Sequence, residues 1–337
     1  MNRIDERWGG AKTLPVPRLV PPCICLRVDV YGSVGATVIP SGVLIVGSAS
    51  PGTPFCRSGL EMILDLFAIA AANATAIERR FQAIVEKMPL ERAVVVKRFA
   101  SWVEAKALIS INVQLYVVRN ILDGGAHQNT YEFAEDRAGL SGRNAEDILQ
   151  ERLQHYYPTR IGFDRAFVDG EKFRYGAMHA GGVGLTEYGP YCIVLTRGFQ
   201  ESLNQVAYLP GDSLKICLRA DHSLDEDALK HSAAPHTHRH VMVAAECSTR
   251  ISSEDEAGWP QLLVSKDRHF EVIFIGEVGI KAVECVCVQK AEYDKRWESA
   301  FDSFGAKLDI ASRALVEDFV HLRRGVVEGK VRLEVVP

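Results

Sequence analysis

Hydrophobic positions along the chain change period several times, and each change predicts an element. Prolines crowd residues 14–22, after which 23–30, 35–39 and 43–46 read as short apolar strands between glycine turns, and 48–54 as a loop. From Gly59 the period lengthens. Ile77, Phe81, Ile84, Val85 and Met88 recur at helical spacing, Pro89 supplies a stop, and 90–103 reads as a second helix. Ile109, Ile111, Val113, Leu115 and Val117 then alternate with Ser110, Asn112, Gln114 and Tyr116, a strand pattern among helix-like neighbours. Asp123 to Gly125 breaks the chain, and Asn144, with Asp147 three residues on, caps a helix running to about His155.

From 156 to about 288 the pattern is β-rich, with strands expected at 191–195, 214–219, 241–247, 262–265, 270–275 and 282–288. Strands without intervening helices predict an antiparallel or mixed sheet, not a doubly wound nucleotide fold. Trp297, Phe301, Phe304, Leu308, Ala311, Leu315, Phe319 and Leu322 step by three and four, which predicts one long helix from Asp294 to Arg324 with Gly325 just beyond. That stripe serves either to cover the sheet or to join copies into a homo-oligomer; Gly305 weakens the coiled-coil version. Val331, Leu333 and Val335 alternate and close the chain as an edge strand. The expected fold is α+β: a mixed strand and helix half at 1–155, for recognition or regulation, and a β-rich candidate catalytic domain at 156–337 packed by the C-terminal helix.

Composition is that of a globular chain: 337 residues, 47% apolar, 24% charged, net charge −4. No general basic surplus marks a nucleic-acid binder. Arg152, Arg160, Arg165, Lys172 and Arg174 do fall close together, interrupted by Asp164, Asp169 and Glu171, which suits a compact anion site. The eight cysteines contain no Cys-x-x-Cys pair and read as buried small apolar residues in a reducing cytoplasm, although Cys23/Cys25 and Cys285/Cys287 also allow a zinc site. The N-terminus lacks a secretory signal, and the apolar stretch 62–77 carries Asp65 and Asn73 and is too short for a bilayer. A cytoplasmic protein without membrane association is expected, with delivery by a specialised secretion machine left open.

Candidate chemistry concentrates between Arg174 and Leu195, where glycines 176, 181, 182, 184 and 189 stand among Tyr175, His179, Tyr188 and Tyr191. Such density lets backbone approach a ligand. His179 is a candidate general base, or else it satisfies a nearby carbonyl. Further on, His269 and Glu271 share one face of a strand. A carboxylate in an apolar strand is expensive unless paired or useful, so Glu271 is either functional or a strand-edge residue in solvent. A separate cluster, His236, His238 and His240, with His222 or His231 nearby, offers metal ligands for a hydrolase or nuclease, or forms a solvated loop. No Gly-x-Ser-x-Gly occurs.

An early arginine, an aromatic and glycine-rich stretch and a late glutamate before an apolar strand, in the phrases RYGAMHAGG, YGPYCIVL and HFEVIFIG, span about residues 155–290. In that order they resemble the ADP-ribosyltransferase fold of bacterial toxins and abortive-infection (antiphage defence) proteins. The resemblance implies an NAD-consuming transferase with NAD as substrate and a protein or nucleic-acid acceptor. It assigns Glu271 to the ribosyl cation and the pyrophosphate to Arg160 or Arg165. Tyr175 or Tyr188 would stack on nicotinamide, with Arg174, Gly181 and Gly182 as further cofactor contacts and His179 beside them. The family's Ser-Thr-Ser is absent, Cys247-Ser248-Thr249 being nearest, and His269 stands where arginine-directed transferases carry a second acid. NAD hydrolysis or another acceptor therefore stays open. So do a metal-dependent hydrolase at His236, His238 and His240, and a non-enzymatic assembly protein.

Overall fold

The alternation beginning near 108 becomes a strand at the heart of a mixed sheet. The computed structural model of the protein describes residues 63–251, 256–265, 268–302 and 308–337. The strands expected at 23–30, 35–39 and 43–46 lie outside the described residues. The strands are β1 (Leu108–Val113), β2 (Arg174–His179), β3 (Tyr191–Leu195), β4 (Val206–Leu209), β5 (Ala234–Pro235), β6 (Val264–Ser265), β7 (Arg268–His269), β8 (Glu271–Phe274), β9 (Val283–Gln289) and β10 (Arg332–Val336). Eight form one sheet in the order β10-β9-β3-β1-β2-β8-β4-β5, and β6 pairs with β7. Every neighbouring pair is antiparallel except β10 on β9, where the chain returns as a parallel edge strand. The fold is α+β.

The period of two decides what each side of the sheet does. Ile109, Ile111 and Val113 join Met178, Ile193, Val272, Phe274 and Val286 in the main core, under helices Ala74–Glu86, Leu90–Lys106, Leu115–Leu122 and Arg239–Cys247. Ser110 and Asn112 take the opposite face. Two smaller apolar clusters flank them. One joins Ala207, Leu209 and Ile273 to Phe163, Phe167 and Phe173; the other joins Cys192, Val194, Cys285 and Cys287. Between them β1 and β2 present Ser110, Asn112 and Ala177, a polar floor between apolar walls.

Because β1 sits between β3 and β2, residues before 156 supply an inner strand of the sheet that the later residues complete. Several local expectations change. The strand at 109–117 ends at Val113, and Leu115–Leu122 is a helix. Residues 241–247 belong to the helix Arg239–Cys247, which is buried at Val241, Met242, Val243, Ala244 and Ala245. Within 241–247 only Glu246 is polar, and an apolar run that short does not distinguish helix from strand by period. The strand at 214–219 is instead a helical turn, Ser213–Ile216, started by the Asp212 side chain accepting from Leu214 N–H at 3.0 Å.

The long C-terminal helix is two helices, Lys290–Asp302 and Ile310–Val327. Asp309 caps the second by accepting from Ser312 N–H at 2.9 Å. The stripe still meets itself, since the Trp297 and Phe319 rings stand 6.1 Å apart. Gly325 lies inside this helix and is buried; a Cβ there would stand 2.9 Å from Leu122, so the glycine permits the close crossing with Leu115–Leu122.

Candidate functional site

Glu271 opens β8, with Ala177 and Leu209 as its partners on the neighbouring strands. Its side chain points into the trough and is only 6% exposed. Oε2 accepts from the Ser213 backbone N–H at 2.8 Å. Oε1 stands 3.9 Å from Nη2 of Arg160, a loose ion pair between groups 111 positions apart in sequence. Burial pushes the Glu271 carboxyl above the ordinary range, against the pull of Arg160 and the Ser213 N–H.

Arg160 comes from the helix Tyr157–Arg165, which has proline in its first turn and buries Ile161, Phe163 and Asp164. Its guanidinium carbon lies 3.9 Å from the centre of the Tyr175 ring. Burial opposes its charge, but Tyr175, Glu271 and Asp164 outweigh that and hold its pKa above the usual arginine value. Nη1 is buried with no hydrogen-bond partner among the described residues. An unpaired guanidinium donor on a cleft wall is costly to leave dry and suited to an incoming acceptor.

One turn along, Asp164 anchors the arrangement. It accepts from the Tyr175 hydroxyl and, at 3.1 Å, from that of Tyr131. Burial pushes its carboxyl up to about 6. The two phenols are raised as well, chiefly by burial. Tyr175 is thus a bracket: its ring carries Arg160 while its hydroxyl is held by Asp164.

The opposite wall is the glycine-rich loop, and Asn112 clamps it. Its amide donates to the carbonyls of Val183 and Gly189, each at 2.9 Å, and its oxygen accepts from Leu185 N–H at 2.7 Å. Two glycines are required here. Gly184 has φ +65° and a Cβ would fall 2.2 Å from Asn112 Oδ1; Gly189 has φ +156° and a Cβ would fall 2.3 Å from the Val113 backbone. Leu185, exposed Tyr188 and His269 complete a cleft of about 90 Å³. Burial, followed by Asp212 and Glu271, pushes the Tyr188 hydroxyl up to about 12.

Of the residues singled out from the sequence, Glu271, Arg160, Tyr175, Gly176, Tyr188 and His269 meet at this cleft. The others do not. Arg165 is exposed and pairs with Glu146 at 3.2 Å. Arg174 takes the other face of β2, where it pairs with Glu132 at 2.7 Å and donates to the His127 carbonyl. Gly181 and Gly182 are exposed and outside the lining. His179 is buried with Nδ1 3.8 Å from Cys192 Sγ, and burial brings its pKa down to about 4.

Elsewhere, Cys247-Ser248-Thr249 closes the helix Arg239–Cys247 and is not part of the lining. His236 shares a hydrogen bond with the Tyr208 hydroxyl at 2.8 Å. Among the described residues His236, His238 and His240 form no convergent set of metal-ligand atoms.

Sequence reasoning missed Asn112, Asp164 and Ser213. Asp164 had a signal, lying four residues after Arg160 and therefore on the same helix face. The Ser213 contact is made by backbone and has none. No protein-family model and no curated protein matches the chain.

Proposed function

We propose that the cleft binds NAD and cleaves its nicotinamide–ribose bond, as an enzyme of the ADP-ribosyltransferase type acting as a toxin or defence effector. The observation that carries this reading is the meeting of Glu271 with Arg160, whose Nη1 has no hydrogen-bond partner among the described residues, against a glycine-bearing strand. As nicotinamide leaves, positive charge develops on the ribose, and a carboxylate fixed by Ser213 N–H stabilises that charge without having to reorganise. Arg160 supplies a planar donor for a phosphate or ribose oxygen. Tyr188, exposed at the rim, offers a ring to cover the base.

The enclosed volume of about 90 Å³ is below the several hundred typical of whole-ligand pockets. It suits one end of the dinucleotide, with the remainder lying along the opening. Among the described residues the histidine cluster gives the metal-hydrolase reading no convergent ligand set.

The test is nicotinamide release from NAD by the full chain, followed with and without macromolecular acceptors. Glu271→Gln keeps an oxygen for Ser213 N–H and loses the charge, so release is expected to fall roughly 100-fold or more while the fold is retained. Release that is unchanged in this variant removes Glu271 from its role. A parent protein that neither binds NAD nor releases nicotinamide ends the reading.

A further inference from the structure

A second concentration of reactive side chains lies on the same face of the sheet, toward its β10 edge, and takes no part in the cleft. Cys285 and Cys287 lie on β9, Glu334 on β10 opposite Cys287, and Cys192 on β3, also opposite Cys287. All three cysteines are buried and free. Residues two apart on a strand have Cα atoms about 6.7 Å apart, yet the sulfurs of Cys285 and Cys287 approach to 3.8 Å. Cys287 Sγ stands 3.7 Å from Glu334 Oε2. One ligand atom from each of Cys285, Cys287 and Glu334 lies within 4.8 Å of the others.

These spacings have a simple geometric counterpart. Two thiolates at 2.3 Å from a tetrahedral zinc ion are about 3.8 Å apart, and a thiolate and a carboxylate oxygen about 3.6 Å apart. Without an ion, weak thiol hydrogen bonds hold the three groups together, from Cys287 to Glu334 and between the two sulfurs. The other carboxylate oxygen, Oε1 of Glu334, pairs with Arg332 at 3.0 Å, which turns Oε2 toward the sulfurs. Outer partners of this kind commonly orient metal ligands. A direct Cys285–Cys287 disulfide is disfavoured, since residues two apart on a strand sit at the outer limit of disulfide Cα spacing.

We propose that Cys285, Cys287 and Glu334 bind one zinc ion that ties β9 to the edge strand β10, with water in the fourth position. The donor set of two sulfurs and one carboxylate oxygen selects a thiophilic ion over magnesium or calcium. This site is structural and independent of any NAD chemistry.

The experiment uses the full chain, purified reduced, stripped with a chelator and titrated with cobalt(II) as a spectroscopic stand-in for zinc. Expected are thiolate-to-cobalt charge-transfer absorption saturating at about one ion per chain, its displacement by zinc, and a higher melting temperature with zinc. Cys287→Ser is expected to weaken cobalt binding at least about 100-fold, beyond the loss typical of an outer partner. Cys247→Ala, a buried cysteine elsewhere, leaves it unchanged. If Cys287→Ser does not fold, Glu334→Gln on the half-exposed edge strand serves instead and weakens binding at least about 10-fold. The proposal is overturned if the parent shows no thiolate–cobalt band, or if the band and affinity survive in whichever of these variants folds.

Discussion

Asn112→Ala probes how the cleft is held together. The side chain makes three hydrogen bonds, two to the carbonyls of Val183 and Gly189 and one from Leu185 N–H, at 2.7 to 2.9 Å. Each is worth about 1 kcal/mol net, and a backbone group left unpaired in a buried site costs up to a few times that. Leu185 is buried, while Asn112 and Val183 are half-buried and water can repair part of the loss. The expected destabilisation is therefore about 2–4 kcal/mol, read as a lower urea midpoint with an unchanged slope. Alanine removes the clamp without touching Glu271 or Arg160, so limited proteolysis should also find new cuts within residues 181–189. Asn112→Asp keeps the acceptor for Leu185 N–H but sets a carboxylate against two carbonyls, and is expected to be at least as harmful. A change below about 1 kcal/mol, with proteolysis unaltered, would refute the claim that this one amide organises the loop.

Other consequences follow from the same geometry. Gly189→Ala must place a Cβ 2.3 Å from the Val113 backbone, and a loss of about 3 kcal/mol or more in urea unfolding is expected. Gly139→Ala is the contrast: this exposed helix position has open space around it, and a gain of about 0.5–1 kcal/mol is expected. For Asp164 the folded pKa of about 6 lies above the reference 3.8. Its stabilising contribution is thus complete below about pH 4 and is lost as pH rises through 6. Relative to Asp164→Asn, the parent should lose about 2 kcal/mol of unfolding free energy between pH 4 and pH 7; a flat or rising difference would contradict the burial argument.

Much of the sheet was legible because strand periodicity is a local property. Ile109, Ile111 and Val113 announced β1, the apolar run at 191–195 announced β3, and Glu271 stood out as a carboxylate in an apolar strand. Short apolar runs inside helices were not legible. Residues 241–247 of Arg239–Cys247 form a short apolar run interrupted only by Glu246, too short for its period to show, and they read as a strand. Asp309, which caps the second helix, marks the break in the C-terminal stripe, but the run of aromatic positions spoke for continuity.

What the sequence determined by itself was therefore which segments alternate, where glycine must stand, and which carboxylate is costly. Only the tertiary structure could choose among the arginines. Arg160 and Arg165 lie five residues apart on one helix, about 140° around it, so at most one can face the sheet. The helix buries Ile161, Phe163 and Asp164, which turns Arg160 onto Tyr175 and Glu271 and leaves Arg165 to Glu146 at the surface. That choice depends on which side of the helix meets the phenylalanines under β4 and β8. Packing between distant segments settles it, and no local pattern records it.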